Sequence, residues 1–227
     1  GTVETDGPLG AKAIGNALET LGQKVIYLTD HYCKPIMDAL ASPTEQTIEF
    51  PLTDADKSTQ FAREFLRDIR PSLLISIERC SPSSDGIYRN MLSKDVSGFT
   101  AKIDKIFDIF PHSIGIGDGG NEIGMGKLQA VIPNHPKLPQ KPASTATNQL
   151  LISSVSNWGG WGLVAGLSNI TGGNLLPTIE EEQARLKKCV ELGLVDGFTG
   201  EVKPYVDGFS SDEYTIPLQE LHQFLET

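Results

Sequence analysis

Long hydrophobic runs are missing from this chain. No apolar stretch reaches the roughly 20 residues that cross a bilayer, so a membrane-spanning helix is excluded. Cysteine is scarce: Cys33, Cys80 and Cys189 are odd in number and far apart. That pattern fits neither a disulfide framework nor a zinc ribbon and points to a reducing compartment. The four histidines (His31, His112, His135 and His222) show no metal-ligand spacing, and His112 and His135, beside prolines, read as exposed or structural. A nucleophile elbow, an HExxH helix and a P-loop lysine motif are all absent. Positive charge is also short, with 19 basic residues against 29 acidic ones and a net charge of −10. Nucleic acid is therefore not an expected partner. Much of the imbalance lies in 178–227, with 11 acids and 4 bases, which reads as a solvated face. The opening GTVETDGPLG resembles neither a signal nor a transit peptide.

What is present suits a folded α/β domain. The 227 residues are 39% hydrophobic, and one domain over 1–227 is the simplest organisation. Short β-branched runs end in Gly, Asp or Asn and give way to helical stretches: VIYLT (25–29), TIEF (47–50), SLLISIE (72–78), SIGIG (113–117) and LLISSVS (150–156). Near-continuous apolar runs imply strands covered on both faces. Their alternation with helices predicts a doubly wound, mostly parallel sheet with helices on both faces, a Rossmann-like three-layer arrangement. Helices are expected from the Asp6–Pro8 start to Gly22, with Asp6 as N-cap, and near 55–69, 159–169 and 178–193. The four-proline segment 133–148 must be a connecting loop, and a short hairpin followed by a helix at 214–226 closes the chain. No strand precedes Glu4, so the N-terminal strand of such a sheet is expected to be missing.

In open α/β sheets, ligands sit outside the carboxyl ends of the strands. Four polar clusters fall there in this reading: Glu4–Thr5–Asp6–Gly7, Glu78–Arg79 with Asp85–Gly86, Asp118–Gly119–Gly120–Asn121–Glu122, and Ser156–Asn157–Trp158–Gly159. GIGDGG (115–120) formally matches a dinucleotide turn, yet Asp118 inside it would repel a pyrophosphate. An acidic glycine loop suits a cation, an ammonium group or a hydroxyl-bearing ligand better; the plain alternative is a tight turn capped by Asp118 and Asn121. Arg79 at a strand end can fork onto a ligand carboxylate, or it can hold the loop through an internal pair with an acid. Cys80 has no histidine near it in sequence, which argues against a catalytic thiol. Trp158 and Trp161 read as core residues.

Taken together, ETDGPLGA (4–11), ER…SDGIYRNM (78–91), GIGDGGNEIGMGKL (115–128), VSNWGGWGL (155–163) and VDGF (206–209) resemble the D-glutamate cyclase-like C-terminal domain family, in order over nearly the whole chain. The resemblance implies a lyase (hydro-lyase) that dehydrates D-glutamate to 5-oxo-D-proline. It also implies a domain that follows another in the full-length enzyme, in the mitochondrial matrix in eukaryotes and the cytoplasm in bacteria. A homo-oligomer is compatible with it, and many relatives are this domain alone. The chain departs from the family pattern in Pro82, where a second arginine is usual, in Arg89, where an aromatic residue is common, and in Asn148, where an acid is expected.

For this chemistry the catalytic candidates are Asp118, Glu122, Glu78 and Arg79. Asp118 and Glu122 would recognise the ammonium and act as base, Arg79 would hold a carboxylate, and Glu78 would orient it or relay protons. Substrate-binding candidates are Glu4, Asp6, Gly7, Asp85, Asn121 and Asn157. If a divalent cation (Mg²⁺ or Mn²⁺) takes part, Asp118 and Glu122 are its expected ligands. Two other classes stay open: an amino-acid or lactam-binding regulatory domain, and a nucleotide-binding enzyme.

Overall fold

The computed structural model describes residues 2–226. The chain divides into two compact units. The first takes residues up to Tyr27, 32–48 and from Ser154 onward; the second takes 28–31 and 49–153.

In the first unit, α1 (Pro8–Thr20), α2 (Lys34–Leu40), α5 (Ser156–Thr171), α6 (Ile179–Glu191) and α7 (Ser211–Leu225) surround Leu9, Val164, Leu186, Tyr214 and Leu218, all fully buried. Helices α1 and α5 approach closely because glycine faces glycine. A Cβ on Gly160 would lie 3.1 Å from Gly10 Cα, so any side chain there would push the helices apart. Capping boxes start α6 (Thr178 with Glu181) and α7 (Ser210 with Glu213). The hairpin β6 (Tyr205–Val206) and β7 (Phe209–Ser210) is antiparallel and runs straight into α7. At α1 the expected cap is corrected. Gly7 is the N-cap, at φ 98°, and no side chain from its own segment caps the helix; Asp6 is turned to another helix.

In the second unit, β3 (Leu74–Ile77), β4 (Ser113–Gly117) and β5 (Gln149–Ile152) form a parallel sheet in that order, with Ile75 opposite Ile114 and Gly115 opposite Leu150. Helix α3 (Ala55–Ile69) begins at Asp54, whose side chain accepts from Lys57 N–H, and ends at Arg70 in the left-handed region. Its buried Ala62 and Phe65, with Phe50 edge-on to Phe61 at 4.8 Å, extend the apolar layer. A short helix, α4 (Asp104–Phe107), buries Ile106. The proline-rich segment is a loop as expected, held by bridges from Ala143 to Ser83 and from Ala146 to Gly124, with Ala143 packed beside Met125 and Ile132. The remaining strands, β1 (Ile26–Thr29) and β2 (Gln46–Glu49), pair with each other.

The protein is thus an α/β structure with parallel pairing and a C-terminal hairpin followed by a helix, as the sequence implied. Among the described residues the strands group as two, three and two rather than as one uninterrupted sheet. The same residues include no helix long and apolar enough to cross a membrane.

Candidate active site

The site in the second unit is built from the carboxyl ends of two neighbouring parallel strands. Glu78 follows β3 directly and has φ 50°, a left-handed conformation that a non-glycine residue rarely adopts. Its N–H still donates to Ile116 O, 3.1 Å away on β4, so the sheet holds the backbone while the kink turns the chain off its strand. Asp118 follows β4. The chain then folds back under its own strand: a Cβ on Gly115 would lie 2.5 Å from Ile123 O and 2.8 Å from Gly124 Cα. Glycine at 115 and 124 is therefore required by close approach of backbone to backbone.

This fold-back delivers Glu122, 1% exposed, to the turn it belongs to. Gly119 N–H donates to its Oε1 and Gly120 N–H to its Oε2, both at 2.7 Å. The two amides that a phosphate-binding turn would offer to a ligand are thus bound to an internal carboxylate. No α-helix follows the turn either; the next helical element is a three-residue 3₁₀ segment, Gly126–Leu128. GIGDGG lacks the features of a dinucleotide fingerprint in space.

Glu78, Asp118 and Glu122 each bring a carboxylate oxygen within 4.8 Å of the others. Like charges at that spacing repel by about 3 kcal/mol per pair at an effective dielectric constant near 20. A cation, an ammonium group or a shared proton relieves that repulsion. An all-oxygen set of this kind also fits Mg²⁺ or Mn²⁺.

Arg79, beside the triad, donates to Asp30 Oδ2 at 2.5 Å and to Ala101 O at 3.0 Å, and its Nε–H is buried without a partner. The internal pair weighed for this arginine is present, with Asp30, 49 residues away, as the acid. Asn121 donates its amide to Arg89 O at 3.1 Å, while its Oδ1 is buried and unpaired. Asp85 accepts both arms of Arg89 (2.8 and 2.9 Å) and Lys141 Nζ (2.9 Å). Arg89, with the help of Lys141 and Ser83, holds the Asp85 carboxyl well below the usual range. Asp85 and Arg89 therefore brace the loop after β3. The Cys80 thiol is pushed up to about 11, chiefly by burial, and stays protonated at neutral pH.

The other candidates lie in the first unit, where they tie two helix starts together. Asp6 Oδ2 accepts from Ser156 N–H and Oδ1 from Asn157 N–H, both at 2.7 Å, at the start of α5. In return Asn157 Oδ1 accepts from Gly7 N–H (2.9 Å) and Gly10 N–H (2.7 Å) at the start of α1, and its Nδ2 donates to Thr5 O (3.1 Å). Each residue caps the other's helix across 150 residues. Burial raises the Asp6 pKa well above normal, Asp207 adds to it, and the three backbone donors oppose it. Glu4 is exposed as a residue, but desolvation of its carboxyl, then Asp207 and Asp196, raise its pKa as well. Glu4 and Asp207 converge on Gly197, where a Cβ would lie 2.7 Å from Glu4 Oε2 and 2.9 Å from Asp207 Oδ1.

Asp30 and Asp196 are not among the residues expected at the site, and Asp207 entered only inside the VDGF (206–209) motif. A signal for the last two was available: VDGF occurs twice, at 195–198 and 206–209. In the first copy Asp196 ties the turn by accepting from Thr199 N–H and Gly208 N–H, and in the second Asp207 has φ 50°.

Comparison with known proteins agrees with these motifs. The family model for the D-glutamate cyclase-like C-terminal domain matches residues 1–222. Human mitochondrial D-glutamate cyclase is 32% identical over 181 residues, 72% of this chain. The chain spans 29% of the length of that relative. By family match and by identity, this chain belongs to the D-glutamate cyclase-like C-terminal family.

Proposed function

We propose that the protein is a D-glutamate cyclase-like hydro-lyase acting at Glu78, Asp118 and Glu122. In the reaction the α-amine nitrogen attacks the side-chain carboxyl carbon, a C–N bond closes the five-membered ring, and one C–O bond breaks. Two protons leave the ammonium nitrogen and depart with that oxygen as water, giving 5-oxo-D-proline. The step needs a base for the ammonium, shielding of charge on the tetrahedral centre, and a proton for the leaving oxygen. Holding the substrate in a ring-like pose supplies several kcal/mol by making the attack well oriented.

The observation that carries this reading is the carboxylate triad at adjacent strand ends. Glu122, its carboxylate oriented by the Gly119 and Gly120 N–H groups, faces the ammonium. Asp118, next to it, takes the proton, and Glu78 relays protons towards the leaving oxygen. Arg79, held by Asp30, braces the turn that carries Glu78. A divalent cation bound by the same three acids would polarise the substrate carboxyl as a Lewis acid. Asp6, Gly7 and Asn157 serve by holding the starts of α1 and α5.

The test is to incubate purified protein with D-glutamate, with L-glutamate as control and with or without chelator, and to follow 5-oxoproline by NMR. Turnover is expected with D-glutamate and is expected to fall at least a hundredfold in Asp118→Asn, the usual scale for removing a proton-transfer group. Unchanged turnover in both Asp118→Asn and Glu122→Gln refutes the assignment.

A second reading is favoured by the 29% coverage of the human relative: a domain that recognises an amino acid or lactam while chemistry happens elsewhere. A thermal shift with D-glutamate or 5-oxo-D-proline but no product identifies that case.

A further inference from the structure

The loop after β3 carries a group that the chemistry above does not use. Asn90 Oδ1 accepts from Leu92 N–H (3.1 Å) and Lys94 N–H (3.0 Å), and Ser93 sits at φ 60°, so residues 90–94 form a tight turn. The root of this turn is fastened to the site: Arg89 O accepts from Asn121 Nδ2 and from the Cys80 thiol, and the Arg89 side chain is fixed on Asp85. Its tip places Met91 on Gly119. A Cβ added there would collide with Met91 Sδ, lie 3.1 Å from Met91 Cε and lie 2.9 Å from Glu122 Oε1. Met91 is nevertheless 44% exposed, whereas Met37 and Met125 are 3% and 2% exposed. A half-exposed thioether therefore rests on the backbone that orients the Glu122 carboxylate.

Resting on the cyclase reading, we propose that Met91 is the apolar wall of the site, a specificity-determining residue that contacts the two methylene groups of a glutamate-length substrate. Three carboxylates can attract an ammonium group, but they cannot measure the chain that carries it. A flexible, polarisable thioether beside them can, because it packs against CH₂ groups and excludes water from them. A shorter amino acid with one methylene fewer leaves part of that contact unmade, and a pocket contact of this kind discriminates by about tenfold or more.

The experiment compares Met91→Ala, Met91→Leu and the wild type by KM and kcat for D-glutamate, and measures peroxide oxidation of Met91 in the wild type by peptide mass spectrometry. Met91→Ala is expected to raise KM about tenfold with kcat changed less than about twofold, and Met91→Leu to restore KM to within about threefold. Saturating D-glutamate is expected to slow oxidation of Met91 several-fold, an effect that a residue merely holding the loop would not show. If wild-type turnover is intact but Met91→Ala leaves KM within twofold and substrate leaves the oxidation rate unchanged, the role of Met91 is overturned and the cyclase reading stands. If the wild type neither converts D-glutamate nor is thermally stabilised by it, the cyclase reading falls, and the role of Met91 falls with it.

Discussion

Replacing Asn157 by alanine removes one amide and three hydrogen bonds at once, which makes its cost calculable. Asn157 is fully buried, and its Oδ1 serves Gly7 N–H and Gly10 N–H while its Nδ2 serves Thr5 O. Gly7 N–H keeps Asp6 Oδ1 as an acceptor at 3.0 Å. Gly10 N–H, at the third position of α1, and Thr5 O lose these bonds. A buried group left without its partner costs about 1–3 kcal/mol, and losing a helix N-cap about 1 kcal/mol. The bond to Gly10 is both of these and is counted once, so Gly10 and Thr5 together give about 2–6 kcal/mol, centred near 4. Both tryptophans of the chain, Trp158 and Trp161, lie on α5 beside the altered residue, so urea unfolding followed by tryptophan fluorescence reads the first unit. A fall of about 1 M in the midpoint with an unchanged slope is expected. A loss below about 1 kcal/mol would refute the reciprocal-cap reasoning, because it would mean that water or a shifted backbone satisfies these groups.

Other perturbations give outcomes of comparable clarity. Burial raises the Glu182 carboxyl to about 7 from 4.5, although Arg185 and Tyr214 oppose the shift. The folded protein thus keeps a proton that the unfolded chain releases, so stability falls as pH rises from about 4.5 to 7 and then levels off. Unfolding titrations should show about 2.5 kcal/mol of this loss between pH 5 and 8, absent in Glu182→Gln; an identical pH slope in the two proteins contradicts the assignment. Gly115→Ala forces a methyl group to within 2.5 Å of Ile123 O and should cost at least about 1–3 kcal/mol in thermal or chemical unfolding. Asp30→Ala strands the part-buried Arg79 guanidinium and should cost about 3 kcal/mol, with Asp30→Ala/Arg79→Met recovering part of it in a double-mutant cycle.

Local features were legible in the sequence wherever they depend on neighbours along the chain. SIGIG reads as a strand because Ile114 and Ile116 are β-branched and its end is marked by Asp118, and β4 spans those five residues. Helix α3 is expected near 55–69, after the TIEF run, and spans Ala55–Ile69. The short helices α2 and α4 escaped notice, since seven and four residues give too few turns for a periodic signal. At the site, the grouping of Glu78, Asp118 and Glu122 followed from strand ends, but the roles of Asp6, Asn157 and Arg79 did not. The side-chain partner of Arg79, Asp30, lies 49 residues away, and Asp6 and Asn157 meet across 151; a single sequence carries no trace of which distant acid meets which arginine. GIGDGG shows the same limit: its glycines match a phosphate-binding pattern, while the fold-back that joins Gly115 to Gly124 commits the turn amides to Glu122.

If the three carboxylates at the ends of β3 and β4 bind the ammonium of a glutamate-like substrate, a crystal grown with D-glutamate will show it. Ligand density is expected with its nitrogen about 3 Å from Asp118 and Glu122 oxygens and its methylenes against Met91. D-glutamate found elsewhere on the protein, with Glu78, Asp118 and Glu122 making no contact to it, refutes the assignment of the site.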